Sequence, residues 1–572
     1  MRRALVVLSA VAIPSVLSAQ IMEVGANVQV SKSHPADTHY ELLAAADPAN
    51  PSRLIVGSFR YPNGTTRSGT VVYASRDGGK SWSATLDGNA LENTSDPAVA
   101  YGLNGAAYYS AAWLGPAGTP RDKREMLMFR SADGGVSWGA PVKFTYSDRE
   151  YISVDRTNGK YRGRVYVNGN NRVPYGVSDF IVFRSTDNGR TWLGPGKRKD
   201  FGKHSAGMIG NAVIASDGTI VGVFEENGDI RAIRSTDGGE TLTDATDVDT
   251  SYVEPGNRKG AYNNVTAIPV VAIDPAKDKL YAVWADRRTG RSRIMLSSSS
   301  DKGVTWSRSI AVDAAPASDT ADNFMPTVAV NRDGVVAVMW HDRRENPDNL
   351  GWDIRMTASA DGGMTFVAPV KISEKGMNFG KGARWNALRT SVSRPKDSVS
   401  GPLTLDVSLN TFTYLGGDTN GLVADATGVF HPVWVDNRTG VPQIWTSAVR
   451  VVAAAQAGND ISGKVSVDVT DATFDPATGA LAVTATLRNT SSDVLRGPFT
   501  ARVINLDSDL GSPDAVNNEW TFPETSLAPG AASRPRTWRF VLEDPKPYRN
   551  GNRYRLGLLK MRFTVTAPAS AR

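Results

Sequence analysis

The string Ser131-Ala132-Asp133-Gly134-Gly135-Val136-Ser137-Trp138 decides the fold. Its pattern, Ser-x-Asp-x-Gly-x-Ser/Thr before a large apolar residue, recurs at Ser75, Asp77, Gly79, Ser81 and Trp82 and at Ser185, Asp187, Gly189, Thr191 and Trp192. It returns at Ser235, Asp237, Gly239, Thr241 and Leu242, at Ser299, Asp301, Gly303, Thr305 and Trp306, and at Ser359, Asp361, Gly363, Thr365 and Phe366. Successive Asp positions lie roughly 50 to 64 residues apart, the length of one four-stranded propeller blade with its loops. Asp accepts backbone N–H bonds within its own turn, Gly supplies a backbone angle that other residues resist, and the hydroxyl adds a local bond. β-type runs at 70–74, 126–130, 180–184 and 293–297 precede the strings and place them in hairpin turns. The repetition makes these Asp residues structural, because a catalytic group is needed once rather than in every repeat.

A second repeat, an alternating strand ending in a polar cluster, stands roughly 15 to 20 residues ahead of most strings. It occupies 54–60, 106–113, 164–170, 219–225, 280–288, 335–344 and 429–438. The last of these runs into 443–449 without a string, and the early segment 27–31 is a candidate outer strand for that final unit. Such pairing of the N-terminus with the last blade would close the ring and remove open sheet edges. The expectation is seven blades, with six as the alternative.

Composition supports this outward reading. The chain has 572 residues, 41% hydrophobic and 21% charged, which excludes a disordered tail, a collagen and a coiled coil. With 54 Gly, 31 Pro and 13 Trp, and no long apolar-periodic stretch, it reads as all-β. Cys is absent, which excludes disulfides, thiolate metal sites and thiol nucleophiles. A net charge of +6 spread over the chain, without a block of like charges, argues against nucleic acid. Met1, Arg2 and Arg3, an apolar run at 4–17, and Ser18 and Ala19 follow the order of a secretory signal, so residues 1–19 read as a signal peptide and the product as secreted or periplasmic. No later segment is apolar enough to span a membrane. After about residue 455 the strings stop. Alternating segments at 464–470, 480–488, 499–505, 537–542 and 555–566 read as an immunoglobulin-like β-sandwich at 461–572, joined by a linker at 452–460. Accessory sandwiches bind glycans or pack on the main domain, and the sequence leaves both open.

On these strings the chain resembles the Asp-box (BNR-repeat) β-propellers of the sialidase/neuraminidase superfamily, over residues 27–451. The resemblance implies that the boxes join third and fourth strands on the face opposite the binding site. It also implies a secreted, sialidase-like glycoside hydrolase acting on an anionic or terminal sugar at an arginine-rich face. The alternative is a non-catalytic propeller that binds a glycan or a protein. The expected partner is a glycan or glycoconjugate, and the expected state is a monomer.

In a four-stranded blade the end of the second strand and the start of the first share one face. Second-strand ends contribute Arg60, Arg172, Glu225, Glu226, Asp286, Arg288, Asp342, Arg344, Asp436 and Arg438. First-strand starts contribute Glu41, Asp96, Glu150, Tyr151, Asn263, Asn264, Asn323 and Asp418. Trp284-Ala285-Asp286-Arg287-Arg288, Trp340-His341-Asp342-Arg343-Arg344 and Trp434-Val435-Asp436-Asn437-Arg438 are one motif three times over. Alternation puts its Trp, Asp and final Arg on one side, so it reads either as a blade-to-blade ion pair or as a set of guanidinium forks converging on an anion. Arg60, Arg172, Asp286, Arg288, Asp342, Arg344, Asp436 and Arg438 are therefore the candidate substrate-binding residues.

An asymmetric reaction needs groups that break the repeat. Asp96, Glu150 and Tyr151 are the candidates for acid/base and nucleophilic roles, since a glycosidase uses one carboxyl as general acid and another group as nucleophile or base. Sites of the resembling family use three arginines, an Asp acid/base and a Tyr nucleophile paired with Glu. Here Tyr40-Glu41-Leu42-Leu43 stands where that family's first-blade Arg-Ile-Pro string is expected, Phe59-Arg60-Tyr61-Pro62 falls at the end of a second strand, and Tyr414 is the late tyrosine. The five His residues, His34, His39, His204, His341 and His431, show no zinc spacing, and no serine elbow, phosphate loop or dinucleotide fingerprint is present. No cofactor is expected. A structural calcium held by loop carboxylates is compatible with an exported chain, although no loop has EF-hand spacing.

Overall fold

In a computed structural model, the repeated string does what its residues dictate. Ser131 ends the strand Glu125–Ser131. Its hydroxyl accepts the Gly135 N–H at 2.8 Å and donates to Asp133 at 2.7 Å. The Asp133 carboxylate accepts the Ser137 N–H at 2.9 Å and the Ser137 hydroxyl at 2.6 Å, while Gly135 turns the chain at a φ of +90°. The same Ser–Asp–Gly–hydroxyl circuit closes the other five strings. Partial burial works the other way, yet bonds from Thr191 and Ser185 hold the Asp187 carboxyl down at about 2. Each string links the third strand of a sheet to its fourth.

The structure describes residues 20–63, 69–116, 118–171, 178–203, 206–250, 268–314, 321–346, 351–377, 388–393, 404–409, 416–453, 459–475, 480–507, 519–541, 548–550, 553–555 and 560–567. The expected signal peptide, residues 1–19, lies outside them, as do Arg172, His204, Asn263, Asn264, Tyr414 and residues 454–458 of the expected linker. The described chain is all-β apart from short 3-10 turns. It divides into two units, one of them Met22–Val451.

In that unit, four-stranded antiparallel sheets follow one another through the sequence, each built from consecutive strands. Their first strands are Thr38–Ala46, Thr94–Tyr101, Asp148–Val154, Ala206–Ile214, Val270–Asp274 and Asn323–Val330, which number the first to sixth sheets. The seventh sheet begins with Gly421–Ala424, continues through Phe430–Asp436 and Gln443–Thr446, and takes its outer strand from the N-terminal Val28–Gln29. That pairing sets Val28 opposite Thr446 and Gln29 opposite Trp445. It is the closure foreseen from 27–31, and it is reinforced where the Ser31 hydroxyl donates to Gln443 Oε1 at 2.6 Å and accepts the Ile444 N–H at 3.0 Å. Each first strand packs on the first strand of the next sheet, and Gly421–Ala424 packs back on Thr38–Ala46. This array is consistent with a β-propeller.

Alternation buries both faces of the middle strands, and the apolar core is divided between neighbouring sheets. Tyr109 and Leu127 meet Ile55 and Val72, Phe180 meets Phe224 and Ile233, and Tyr281 and Val283 meet Val336 and Trp340. Each such large side chain stabilises the sheet-to-sheet contact by about 1.5 to 3 kcal/mol. A hairpin of Leu388–Ser393 and Thr404–Leu409, not anticipated from the sequence, stands apart from these sheets.

The other unit contains residues 452–572. Asn459–Asp460, Lys560–Ala567, Phe499–Asp507 and Glu519–Phe522 form one antiparallel sheet, and Val465–Asp475, Ala480–Asn489 and Arg536–Val541 form another. Val483, Ala485 and Leu487 of the second share an apolar core with Phe499, Phe522 and Val565 of the first.

Candidate active site

Strand topology sends the boxes and the first-strand starts to opposite ends of each sheet. The first strand begins beside the end of the second, as Thr94 opposite Trp113 and Asn323 opposite Asp342 show, whereas each box follows the end of the third. At this box-free end the first strands are bulged. Register breaks fall between Tyr40 and Leu42, Ser95 and Ala98, Asp148 and Tyr151, and Phe324 and Thr327. The bulged residues Glu41, Asp96, Arg149 and Met325 all have left-handed φ, from 47° to 56°. For non-glycine residues this backbone is costly, and such strain gathers at sites that aim a side chain.

Three of the four bulged side chains are charged, and they meet. Arg149 Nη1 donates to Asp418 Oδ2. The Arg149 backbone N–H donates to Asp96 Oδ2 at 3.3 Å. Asp418 is delivered by Gly416 and Gly417, whose φ values of +80° and +88° admit the chain so close to Glu41 that a Cβ on Gly417 would lie 2.5 Å from the Glu41 backbone. The Glu41 N–H completes the contact by donating to the Gly416 carbonyl at 2.6 Å.

The carboxyls respond to one another. Burial, and after it Asp148, pushes the Asp96 carboxyl up to about 7, with Arg149 opposing. Burial, then Asp418 and Asp96, raises Glu41 well above the usual carboxylate range. Glu150 is raised in the same way by burial and then Asp96. It is 2% exposed, and among the described residues neither carboxyl oxygen bonds to another residue. Asp418 and Glu41 keep the Arg149 guanidinium charged against the cost of its burial. Burial, then Asp418, raises the Tyr151 phenol. Asp96 keeps partial contact with solvent, whereas Glu41, Glu150 and Tyr151 are buried.

Tyr151 and Asp418 also line a cavity of about 170 Å³. Its wall takes Leu43, Val99, Ile152, Asn211, Val270, Thr327 and Asn420, so every first strand of the array, or the residues leading into it, borders this space.

The second-strand ends are arranged differently. Trp340 Nε1 donates to Asp342 at 2.9 Å, Arg344 Nε to the same carboxylate at 2.8 Å, and Arg344 Nη2 to the Asp313 carbonyl of the preceding sheet at 3.1 Å. Arg288 binds Asp286 at 2.8 Å and reaches Asp249 in the preceding sheet at 2.9 Å. Arg438 binds Asp436 at 2.9 Å and reaches the Lys375 carbonyl and Asn27 Oδ1, both at 3.0 Å. In the fourth sheet the polarity reverses, and buried Arg198 of the third sheet joins Asp179 at 2.7 Å to Glu226 at 2.6 Å. Arg60 stands beside Asp37 at 3.6 Å and Asp87 at 3.5 Å, with His34 next to it. None of these arginines bonds to Asp96, Glu150 or Asp418 among the described residues.

The structure therefore brings together Asp96, Glu150 and Tyr151, and adds Arg149, Glu41 and Asp418 to them. Glu41 and Asp418 stood among the first-strand starts, but Arg149 carried no signal as an isolated residue. Counting back from the boxes does not set Glu41, Asp96 and Arg149 in register, because the distance to the box Asp grows by one residue from each sheet to the next. Among the described residues, no group of three or more His, Asp or Glu is arranged to hold a metal ion, and no helix is long and apolar enough to cross a membrane.

No protein-family model and no curated protein matches the chain. Among solved structures it is similar to a protein of unknown function from Dyadobacter fermentans, at 16% identity and a TM-score of 0.38 over 56% of this chain and 94% of that one. It is also similar to an α-L-arabinofuranosidase of Fusarium graminearum, at 13% identity and 0.36 over 63% and 93%. A third similar structure is the NanB sialidase of Streptococcus pneumoniae, at 8% identity and 0.38 over 75% and 98%.

Proposed function

We propose that residues 27–451 form a seven-bladed Asp-box propeller and act as a secreted exo-glycosidase on a terminal sugar held at the box-free mouth, with 461–572 as an immunoglobulin-like accessory sandwich. The observation that carries this reading is the Asp96 carboxyl. It is half-buried, lies beside Arg149, and is pushed up to about 7, so near neutral pH it both holds a proton and can release one.

In this account Asp96 protonates the departing oxygen as general acid. Tyr151, facing the axial cavity, is the nucleophile that takes the anomeric carbon as its phenolic proton passes to Asp418 on the same cavity wall, water then hydrolyses the glycosyl-tyrosine with Asp96 as base, and Glu150 is the second buried carboxyl, in the field of Asp96. Arg149 orients Asp418 and Asp96. Arg288, Arg344 and Arg438, each bound to its own Asp and to the preceding sheet, tie the sheets together. An anionic sugar would need Arg60, Arg172 or a reorganised Arg149 to grip it.

The test is release of sugar from a panel of glycosides, read by mass spectrometry, with Glu150→Gln alongside. Turnover that Glu150→Gln abolishes supports the assignment, and turnover unchanged in that variant removes Glu150 from it. A second reading, a non-catalytic propeller that binds a glycan or protein, is favoured by the depth of Glu41, Glu150 and Tyr151, each under a tenth exposed. Binding without any released product would select it.

A further inference from the structure

Tyr151 and Asp418 share their cavity wall with Leu43, Val99, Ile152, Val270 and Leu422, which come from the first strands of five different sheets. Leu43, Ile152 and Val270 remain partly exposed, although each of their strands packs on other first strands. Water against such apolar surface is unfavourable, and an apolar group that replaced it would be favoured there. The amides and the carboxyl of the wall are engaged within the protein. Both ends of the Asn211 amide are used by the Val271 backbone, at 2.8 Å each. Asn420 donates to the Met325 carbonyl at 3.3 Å, and Asp418 is held by Arg149 and by a side-chain hydrogen bond with Glu41.

We propose that the terminal sugar taken here is a deoxy sugar of the fucose or rhamnose type, whose exocyclic carbon is a methyl group, and that this methyl enters the axial cavity. The proposal rests on the glycosidase reading of Tyr151 and names its substrate class.

In a pyranose the anomeric carbon and the carbon that bears the exocyclic group are both bonded to the ring oxygen. An anomeric carbon held at Tyr151 therefore brings the exocyclic group to the space that Tyr151 lines. A methyl gives up no hydrogen bond on entering and covers apolar side chains. A hydroxymethyl would carry its hydroxyl out of water and in among Leu43, Ile152 and Val270, at a cost that the engaged amides do not offset. An N-acetyl group would bring an amide that needs a donor and an acceptor in the same place. The preference is of the modest size that an apolar pocket can exert on one added hydroxyl.

The test is kcat/KM of the full chain on nitrophenyl glycosides in matched pairs that differ only at the exocyclic carbon, fucoside against galactoside and rhamnoside against mannoside, with an N-acetylglucosaminide and a sialoside alongside. The expected result is turnover of a deoxy member roughly 10- to 100-fold faster than its partner. Val270→Thr places a hydroxyl on the wall at nearly unchanged volume and should narrow that ratio by raising the rate on the hydroxymethyl member, while the ratio in the unaltered protein needs no variant to fold. Equal or faster turnover of the hydroxymethyl members, or turnover confined to the N-acetylglucosaminide or the sialoside, overturns the methyl preference and leaves the glycosidase reading standing. Turnover of none of these glycosides overturns both.

Discussion

Arg149 and Asp418 are joined by an ion pair although their sheets, the third and the seventh, are not neighbours in the array. The pair ties two first-strand ends that are 269 residues apart in sequence, and each partner stands on unusual backbone: a bulge at Arg149 and the Gly416-Gly417 turn before Asp418. Removing one partner leaves the other charge buried alone. Arg149→Met is therefore expected to destabilise the fold by about 3 kcal/mol, read as a shift of the urea midpoint. An unchanged midpoint would mean that the pair does not brace the mouth.

The route by which Asp418 arrives can be tested separately. A Cβ at Gly417 would press on Glu41 at 2.5 Å, in a φ of +88° that side chains resist. Gly417→Ala is expected to cost about 2 kcal/mol and to move Asp418 away from Arg149. The expected signature is a stability loss that is not additive with that of Arg149→Met in a double-mutant cycle.

The boxes make a contrasting prediction, because they act one by one. Ser131→Ala leaves the Gly135 N–H and the Asp133 carboxylate without the hydroxyl that joins them. A loss of about 1 to 2 kcal/mol is expected, with no change in ligand binding, since the box lies at the end away from the mouth.

Much of this organisation is legible in the residues. Ser-x-Asp-x-Gly reads as a turn because each of its side chains satisfies a backbone group of the same turn, so the signal needs no distant partner. The closure by Val28–Gln29 was legible for a related reason, since the last unit had no outer strand of its own. The mouth was less legible. Asp96, Glu150 and Tyr151 stood out because they break the repeat, but what gathers them with Arg149 and Glu41 is a bulge, and a left-handed Glu, Asp or Arg has no composition signature. The Trp-x-Asp-x-Arg motif posed the opposite difficulty. Its residues are those of an anion site, and only their distances show Arg288, Arg344 and Arg438 reaching the preceding sheet.

Two buried histidines are expected to weaken the fold in acid. His39 lies between Tyr73 and the Asp37 carbonyl, and burial, then His34, drives its pKa down to about 3; burial, then Arg343, does the same to His341. The unfolded chain binds these protons near pH 6.5 and the folded chain only near 3. Their contribution is therefore complete above about 6.5 and is lost as pH falls toward 3. Thermal unfolding is expected to drop steadily from pH 7 to 4, and His341→Gln should flatten part of that slope, of which each histidine supplies at most roughly 4 kcal/mol. A slope unchanged in the variant would contradict a neutral His341.

Asp96 has the opposite sign, and the central claim rests on it. Its folded value near 7 lies above the unfolded one, so its protonated form favours folding at low pH and that contribution fades as pH rises from about 4 to 7. The same proton is the one a general acid must deliver. The most direct measurement is the pH profile of kcat/KM for glycoside hydrolysis in the unaltered protein and in Asp96→Asn. The account predicts a rate that falls as pH rises through about 7, and a roughly 100- to 10,000-fold loss in Asp96→Asn that removes this limb. Turnover of the Asn variant at the original rate with the same limb would contradict it.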